Sequence, residues 1–268
     1  VQEDNPQNII NIVCMSGIQA DKRRFFTKGR IILLLLFTNL VTATLLLSIH
    51  MNISRARAER QVANAMRDTL KFSDNQTYTE QTELFNIYPT KMATIVMMGS
   101  SLTQRVNWSE LLERNDIVNR GIGSDIAEGY WHRIYSVTKL KPQYVFLEIG
   151  ANDLLRNTQV EVIFGKIERL IDSLSKTVPR IVLLSCFYVS NKMLNYQRYN
   201  RRVDSLNRMF HPLTSRFSTL VIMDVNKELS KDGVREQSFA LSDGIHLNAK
   251  AYQIWKKEIE EFLLQENH

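Results

Sequence analysis

Two short segments far apart in the chain carry residue types suited to nucleophilic ester chemistry. Ser101 lies in Gly99-Ser100-Ser101-Leu102-Thr103, directly after an apolar run at 94–98. Near the C-terminus the chain reads Asp243-Gly244-Ile245-His246-Leu247. A serine hydroxyl is a poor nucleophile until a base takes its proton, and an imidazole serves best when a carboxylate fixes its tautomer. The three-residue spacing lets a turn bring Asp243 to Nδ1 of His246 while Nε2 faces the serine. Between these segments lie Asn119-Arg120-Gly121-Ile122-Gly123-Ser124-Asp125 and Gly150-Ala151-Asn152-Asp153, which offer main-chain N–H groups and a side-chain amide.

Each residue also has a plainer reading. Ser101, Asn152 and Asp243 are all common helix caps, and Gly121 with Gly123 suggests only a tight turn. Asp153 reads as a loop-holding residue, and Glu148 and Asp224 as buried acids without an assigned role. Among the histidines only His246 is a candidate for chemistry. His132 falls in a helical pattern, His211 precedes Pro212 at a helix break, and His50 and His268 lie at a membrane border and a terminus. The stretch Gly121-Ile122-Gly123 lacks the third glycine of a dinucleotide fingerprint. No His/Cys cluster has metal-ligand spacing, so neither a cofactor nor a metal is expected. The order and combination of the four segments favour the catalytic reading.

Taken together, the segments resemble the blocks of the SGNH (GDSL) hydrolase family of esterases, lipases and carbohydrate deacetylases, over about residues 92–264. The resemblance implies Ser101 as nucleophile, with Asp243 as orienter and His246 as base. It implies an oxyanion hole formed by the backbone of Ser101, an N–H at Ser124 or the adjacent Gly123, and the Asn152 side chain. Two departures stand out. Ser100 occupies the position of the acid in Gly-Asp-Ser-Leu, and Ser124 follows Gly123 where a second glycine is common.

The elements that must position these groups follow from the pattern of apolar residues. β-Branched and apolar runs at 94–98, 117–119, 144–149, 181–186 and 220–225 alternate with helical spacing at 126–137, 160–177, 194–217 and 249–264. Strands alternating with helices imply a parallel sheet covered on both faces. The expected fold is α/β, a three-layer α/β/α sandwich with a five-stranded parallel sheet, and the resemblance adds the flavodoxin-like strand order 2-1-3-4-5. Ser101, Ser124 and Asn152 each follow a strand, which places them on the carboxyl edge where such sheets bind ligands.

Residues 31–49 are almost uninterruptedly apolar and preceded by Lys22, Arg23, Arg24, Lys28 and Arg30. A span needs about 20 apolar residues, and a basic flank stays cytoplasmic. An uncleaved signal anchor is favoured over a cleaved signal peptide, for which Ala56-Arg57-Ala58 offers a site, and over a buried helix. Met15 is a candidate initiator. The expected organisation is a cytoplasmic segment 1–30, a transmembrane helix 31–49, a stalk 50–90 and an extracytoplasmic hydrolase domain 91–268.

Of the formal net charge of +6, residues 1–71 carry ten Lys/Arg against five Asp/Glu, which leaves +1 for the rest. The basic character therefore suits anionic lipid rather than nucleic acid. Cys14 and Cys186 flank the apolar stretch, so no disulfide is expected, and Cys186 reads as a buried thiol. The function expected is a serine esterase removing short acyl groups, acetyl above all, from a small-molecule or glycan ester. An O-acyltransferase with the same triad and a non-catalytic glycan-binding protein with a decayed site are the alternatives. Loops at 187–194 and 226–239 would set specificity.

Overall fold

Five apolar runs form one parallel sheet in the computed structural model, which describes residue 33 and residues 35–55 and 71–266. The strands are β1 (Ile95–Gly99), β2 (Ile117–Gly121), β3 (Tyr144–Leu147), β4 (Arg180–Leu184) and β5 (Leu220–Met223). Their order is β2-β1-β3-β4-β5, all pairs parallel, the order the resemblance implies. The described residues fall into two separate units, the helix Leu35–Arg55 and everything from Lys71 onward.

Side chains alternate across each strand, and both faces are buried. Val96, Met98, Val145, Leu147, Ile181 and Leu183 point into one core, covered by the helices Val160–Ser175 and Tyr196–Arg216. Ile95, Met97, Tyr144, Phe146, Val182 and Leu184 point into the other, covered by Ala249–Glu266. Period-2 alternation with both faces covered explains why the strands read as continuous apolar runs. Trp255 anchors the second layer, fully buried with its ring 4.8 Å from that of Trp108. Burying a side chain of this size contributes about 2–3 kcal/mol.

Three helix and boundary expectations are refined. The helix expected over 126–137 is broken into Ala127–His132 and Tyr135–Thr138, with Arg133 at the junction and its guanidinium drawn into the core. The helix Tyr196–Arg216 runs through Pro212, because Leu213 and Phe210 are buried on its inner face and hold the last turn. The stretch expected as a stalk is not uniform. Residues 50–55 continue the apolar helix, whereas Gln76–Ile87 is a helix packed on the second unit. It buries Tyr78 and Phe85 against Ile122, and Lys139 Nζ donates to Phe85 O at 2.8 Å. Its apolar residues are few and widely spaced, so the polar majority dominates the sequence pattern.

The helix Leu35–Arg55 is long and apolar enough to cross a membrane, with mean hydropathy 1.4 in its most apolar window. The expectations for the basic flank at 22–30, Cys14, Met15, residues 56–70 and His268 lie outside the described residues.

Candidate active site

The serine leaves β1 at its carboxyl end, where the short helix Ser101–Gln104 begins. Its Oγ lies 3.0 Å from His246 Nε2, and His246 Nδ1 lies 2.6 Å from Asp243 Oδ2. A carboxylate only accepts, so Nδ1 carries the proton and Nε2 accepts from the serine hydroxyl. Asp243 Oδ1 also accepts the N–H groups of Ile245 (2.9 Å) and His246 (3.0 Å). Burial raises the Asp243 pKa, but the hydrogen bond from the imidazole and these two N–H groups outweigh it and bring it down to about 2.

A tight hairpin holds this pair. Leu241 N–H donates to His246 O at 2.8 Å, and Ala240 bridges Leu247 in antiparallel fashion. Gly244 sits at φ +73°, and a Cβ there would meet Met193 N at 2.5 Å, so only glycine fits. Beneath the hairpin the buried Arg235 donates from Nη1 to Ile245 O at 2.7 Å.

On the other side of the serine is the loop that follows β2. A Cβ built on Gly123 would stand 4.0 Å from Ser101 Cβ, which places the loop beside the hydroxyl. The two N–H candidates of this loop differ. Gly123 N–H donates to Gln104 Oε1 at 2.8 Å and is committed there. Ser124 N–H, like Ser101 N–H, donates no hydrogen bond within the described residues. Ser124 is exposed and held at φ +60°, a left-handed conformation that accounts for glycine being common at this position. Asn152 Nδ2 donates to Asp125 O at 2.8 Å, which ties it to the same loop and leaves its second amide hydrogen for another acceptor.

The loop rests on a buried polar network. Arg133 Nε pairs with Asp125 Oδ2 at 2.7 Å, both side chains fully enclosed. The same guanidinium donates to Arg120 O (2.7 Å) and Gly99 O (3.1 Å), joining the ends of β2 and β1. Asp153 Oδ2 accepts Ala127 N–H at 2.9 Å, and burial pushes its carboxyl up to about 6.

Glu148, which the sequence left without a role, sits under the serine segment. It accepts Ser100 N–H (2.7 Å), Ser100 Oγ (2.9 Å) and Thr103 Oγ1 (3.2 Å), and burial raises its pKa. A buried carboxylate at the end of β3 thus holds the segment in which Ser100 stands. An acidic residue closing an apolar strand on the carboxyl edge is the signal that could have found it. Arg133, Gln104 and Arg235 carried no such signal. His132 stacks on Phe72 at 4.4 Å between ring centroids, His50 and His211 are exposed on helices, and Cys186 is buried with its thiol pushed up to about 12. No cluster of three metal-ligating groups occurs among the described residues.

This arrangement can pass a proton from Ser101 Oγ to an imidazole, and the loop next to Ser101 carries an N–H, at Ser124, with no partner among the described residues. It is the layout of the SGNH hydrolase class. Residues 97–254 match the model of the GDSL-like Lipase/Acylhydrolase family, and the chain belongs to that family. Solved structures share the fold. A Streptococcus pneumonia protein provisionally named a platelet activating factor is 23% identical with TM-score 0.63, covering 78% of this chain and 99% of its own. A GDSL-like lipase from Bacteroides thetaiotaomicron is 18% identical with TM-score 0.58, covering 73% and 99%. An acetylxylan esterase from Geobacillus stearothermophilus is 17% identical with TM-score 0.52, covering 64% and 95%. No curated protein sequence matches the chain.

Proposed function

We propose that the protein is a serine esterase acting on short acyl esters, acetyl esters of a carbohydrate above all, through an acyl-enzyme. The observation that carries the reading is the unbroken relay from Ser101 Oγ through His246 to Asp243. Ser101 Oγ attacks the ester carbonyl as His246 Nε2 takes its proton. The N–H groups of Ser101 and Ser124 and the Asn152 amide receive the developing oxyanion. His246 then protonates the departing alcohol, and water repeats the sequence to release the acid. Each oxyanion donor of this kind contributes a factor of about 10²–10³.

Short acyl groups are favoured by the loop after β4. Phe187 is buried against Trp255, and the Tyr188 hydroxyl is turned to Asp204, so neither ring opens an apolar groove for a long chain. The fold shared with an acetylxylan esterase supports a carbohydrate ester. The helix Leu35–Arg55, with the basic residues before it, supports a membrane anchor and a catalytic domain at 91–268 outside the cytoplasm. The test is kcat/KM for acetyl, butyryl and octanoyl esters of one leaving group, in the wild type and Ser101→Ala. Acetyl is expected to be preferred and Ser101→Ala to be inactive though folded. A steady rise with chain length, or an active Ser101→Ala, overturns the reading.

A further inference from the structure

Gly123 O and Ser124 N–H belong to one planar peptide unit and point in opposite directions from it. Whatever grips the carbonyl therefore aims the N–H. The carbonyl is gripped by Asn75, whose Nδ2 donates to it at 2.8 Å. Asn75 precedes the helix Gln76–Ile87, at the position where an asparagine side chain ordinarily caps the first N–H groups. Here it makes no such cap and reaches across to the loop instead.

The grip opposes a specific alternative. Ser124 is a non-glycine residue at φ +60°, a conformation that disfavours L-residues by about 1 kcal/mol. Flipping the Gly123–Ser124 peptide would return Ser124 to negative φ, as when a type II turn becomes type I. It would also reverse the direction of the Ser124 N–H in the loop next to Ser101. Gln104 holds the preceding peptide through Gly123 N–H, so this unit alone is left for Asn75 to fix. The helix carrying Asn75 is itself anchored. Tyr78 donates from its hydroxyl to Gly129 O at 3.1 Å, and Phe85 lies under the Arg120 guanidinium at 4.6 Å.

We infer that Asn75 is a positioning residue of the oxyanion hole, so that the segment ahead of the family-matched region completes the active site. The inference rests on the serine-esterase reading. Its bond to the carbonyl also polarises the peptide and strengthens the opposite N–H as a donor.

The test measures acetyl-ester kinetics of the full chain with Asn75→Ala and Asn75→Asp, the second nearly isosteric but lacking the donor. Each is expected to lower kcat by about 10- to 100-fold with KM within about 3-fold, since misplacing a group by an ångström costs up to 10²-fold. Affinity for a phenylboronic acid, whose adduct on Ser101 places an oxygen in the hole, should fall in parallel. Asn75→Ala should cost at least 3-fold less in a Ser124→Gly background, because glycine tolerates the positive φ unaided. Wild-type kcat in both Asn75 variants, or a change in KM alone, overturns the inference while leaving the esterase intact. A wild type unable to hydrolyse any ester would instead sink the reading beneath it.

Discussion

Asp243 and His246 are three residues apart and meet within one hairpin, whereas Asn152 reaches the Gly121–Asp125 loop across 27 residues. The first pairing needs a turn, a glycine at φ +73° and one carboxylate, and Asp243 remains partly exposed. The second depends on Arg133 and Asp125, both enclosed, on Gln104 after β1, and on Asn75 from outside the family region. The two sides also treat their acids oppositely. The hairpin holds Asp243 down to about 2, while burial behind the oxyanion loop pushes Asp153 up to about 6. Proton transfer tolerates a local, solvated support, but aiming neutral N–H donors at a developing charge requires a rigid scaffold.

The largest expected effects break the hairpin side. His246→Ala should lower kcat/KM for an acetyl ester by at least about 10⁴-fold, since a serine without its base loses the whole triad advantage. Asp243→Asn should cost about 10³- to 10⁴-fold by presenting the wrong tautomer. Thermal unfolding of both above pH 4 should fall only by what the lost Asp243–His246 contact contributes, because the pair is local and part-exposed. A large fall in stability with either would erase the contrast between the two sides.

On the oxyanion side the expected loss is smaller and falls on kcat. Asn152→Ala should reduce kcat by about 10²- to 10³-fold with little change in KM, as follows from the proposed role of its amide on charge present only in the transition state. A change confined to KM would show that Asn152 binds the ground state.

How much of this was legible in the sequence follows the same division. The Asp243/His246 pair is visible because a turn encodes it within four residues. The five strands are visible because both faces of the sheet are buried, and the order of segments places Ser101, Ser124 and Asn152 on one edge. The helix Gln76–Ile87 reads as polar linker because only Tyr78 and Phe85 are buried from it. Which N–H is free, Ser124 rather than Gly123, depends on Gln104 reaching across from the short helix after β1. Arg133 is one basic residue in a helical pattern, and nothing in its neighbours says that it joins the ends of two strands. Contacts set by distant packing leave no local spacing to read.

The scaffold itself can be loosened without touching either donor. Arg133→Met keeps the length and apolar contact of the side chain but leaves Asp125 as a buried carboxylate without its partner. Breaking such a pair from one side costs about 3–5 kcal/mol. The midpoint of urea unfolding is the measure, with Asp243→Asn as its hairpin counterpart. Equal midpoints for the two variants would mean that the buried network is no more essential to the fold than the part-exposed pair.

The subtlest distinction lies in how stability responds to pH. Asp153 has its folded-state pKa raised from 3.8 to about 6. The folded state therefore retains its proton where the unfolded chain has lost it. Stability is fullest below pH 4, declines as pH rises from about 4 to 6, and is constant above. For so buried a group the loss is at most about 3 kcal/mol by proton linkage. Asp243, lowered from 3.8 to about 2, acts in the opposite sense. Its contribution is complete above pH 4 and fades as pH falls toward 2. Asp153→Asn keeps an acceptor for Ala127 N–H while removing the charge, so it should flatten the decline between pH 4 and 6 and leave the acid limb alone. Asp243→Asn should do the reverse. Melting temperatures measured from pH 2 to 8 for the three proteins would decide it, and a pH 4–6 decline that persists in Asp153→Asn would assign that titration to another buried acid, Glu148 or Asp125 foremost.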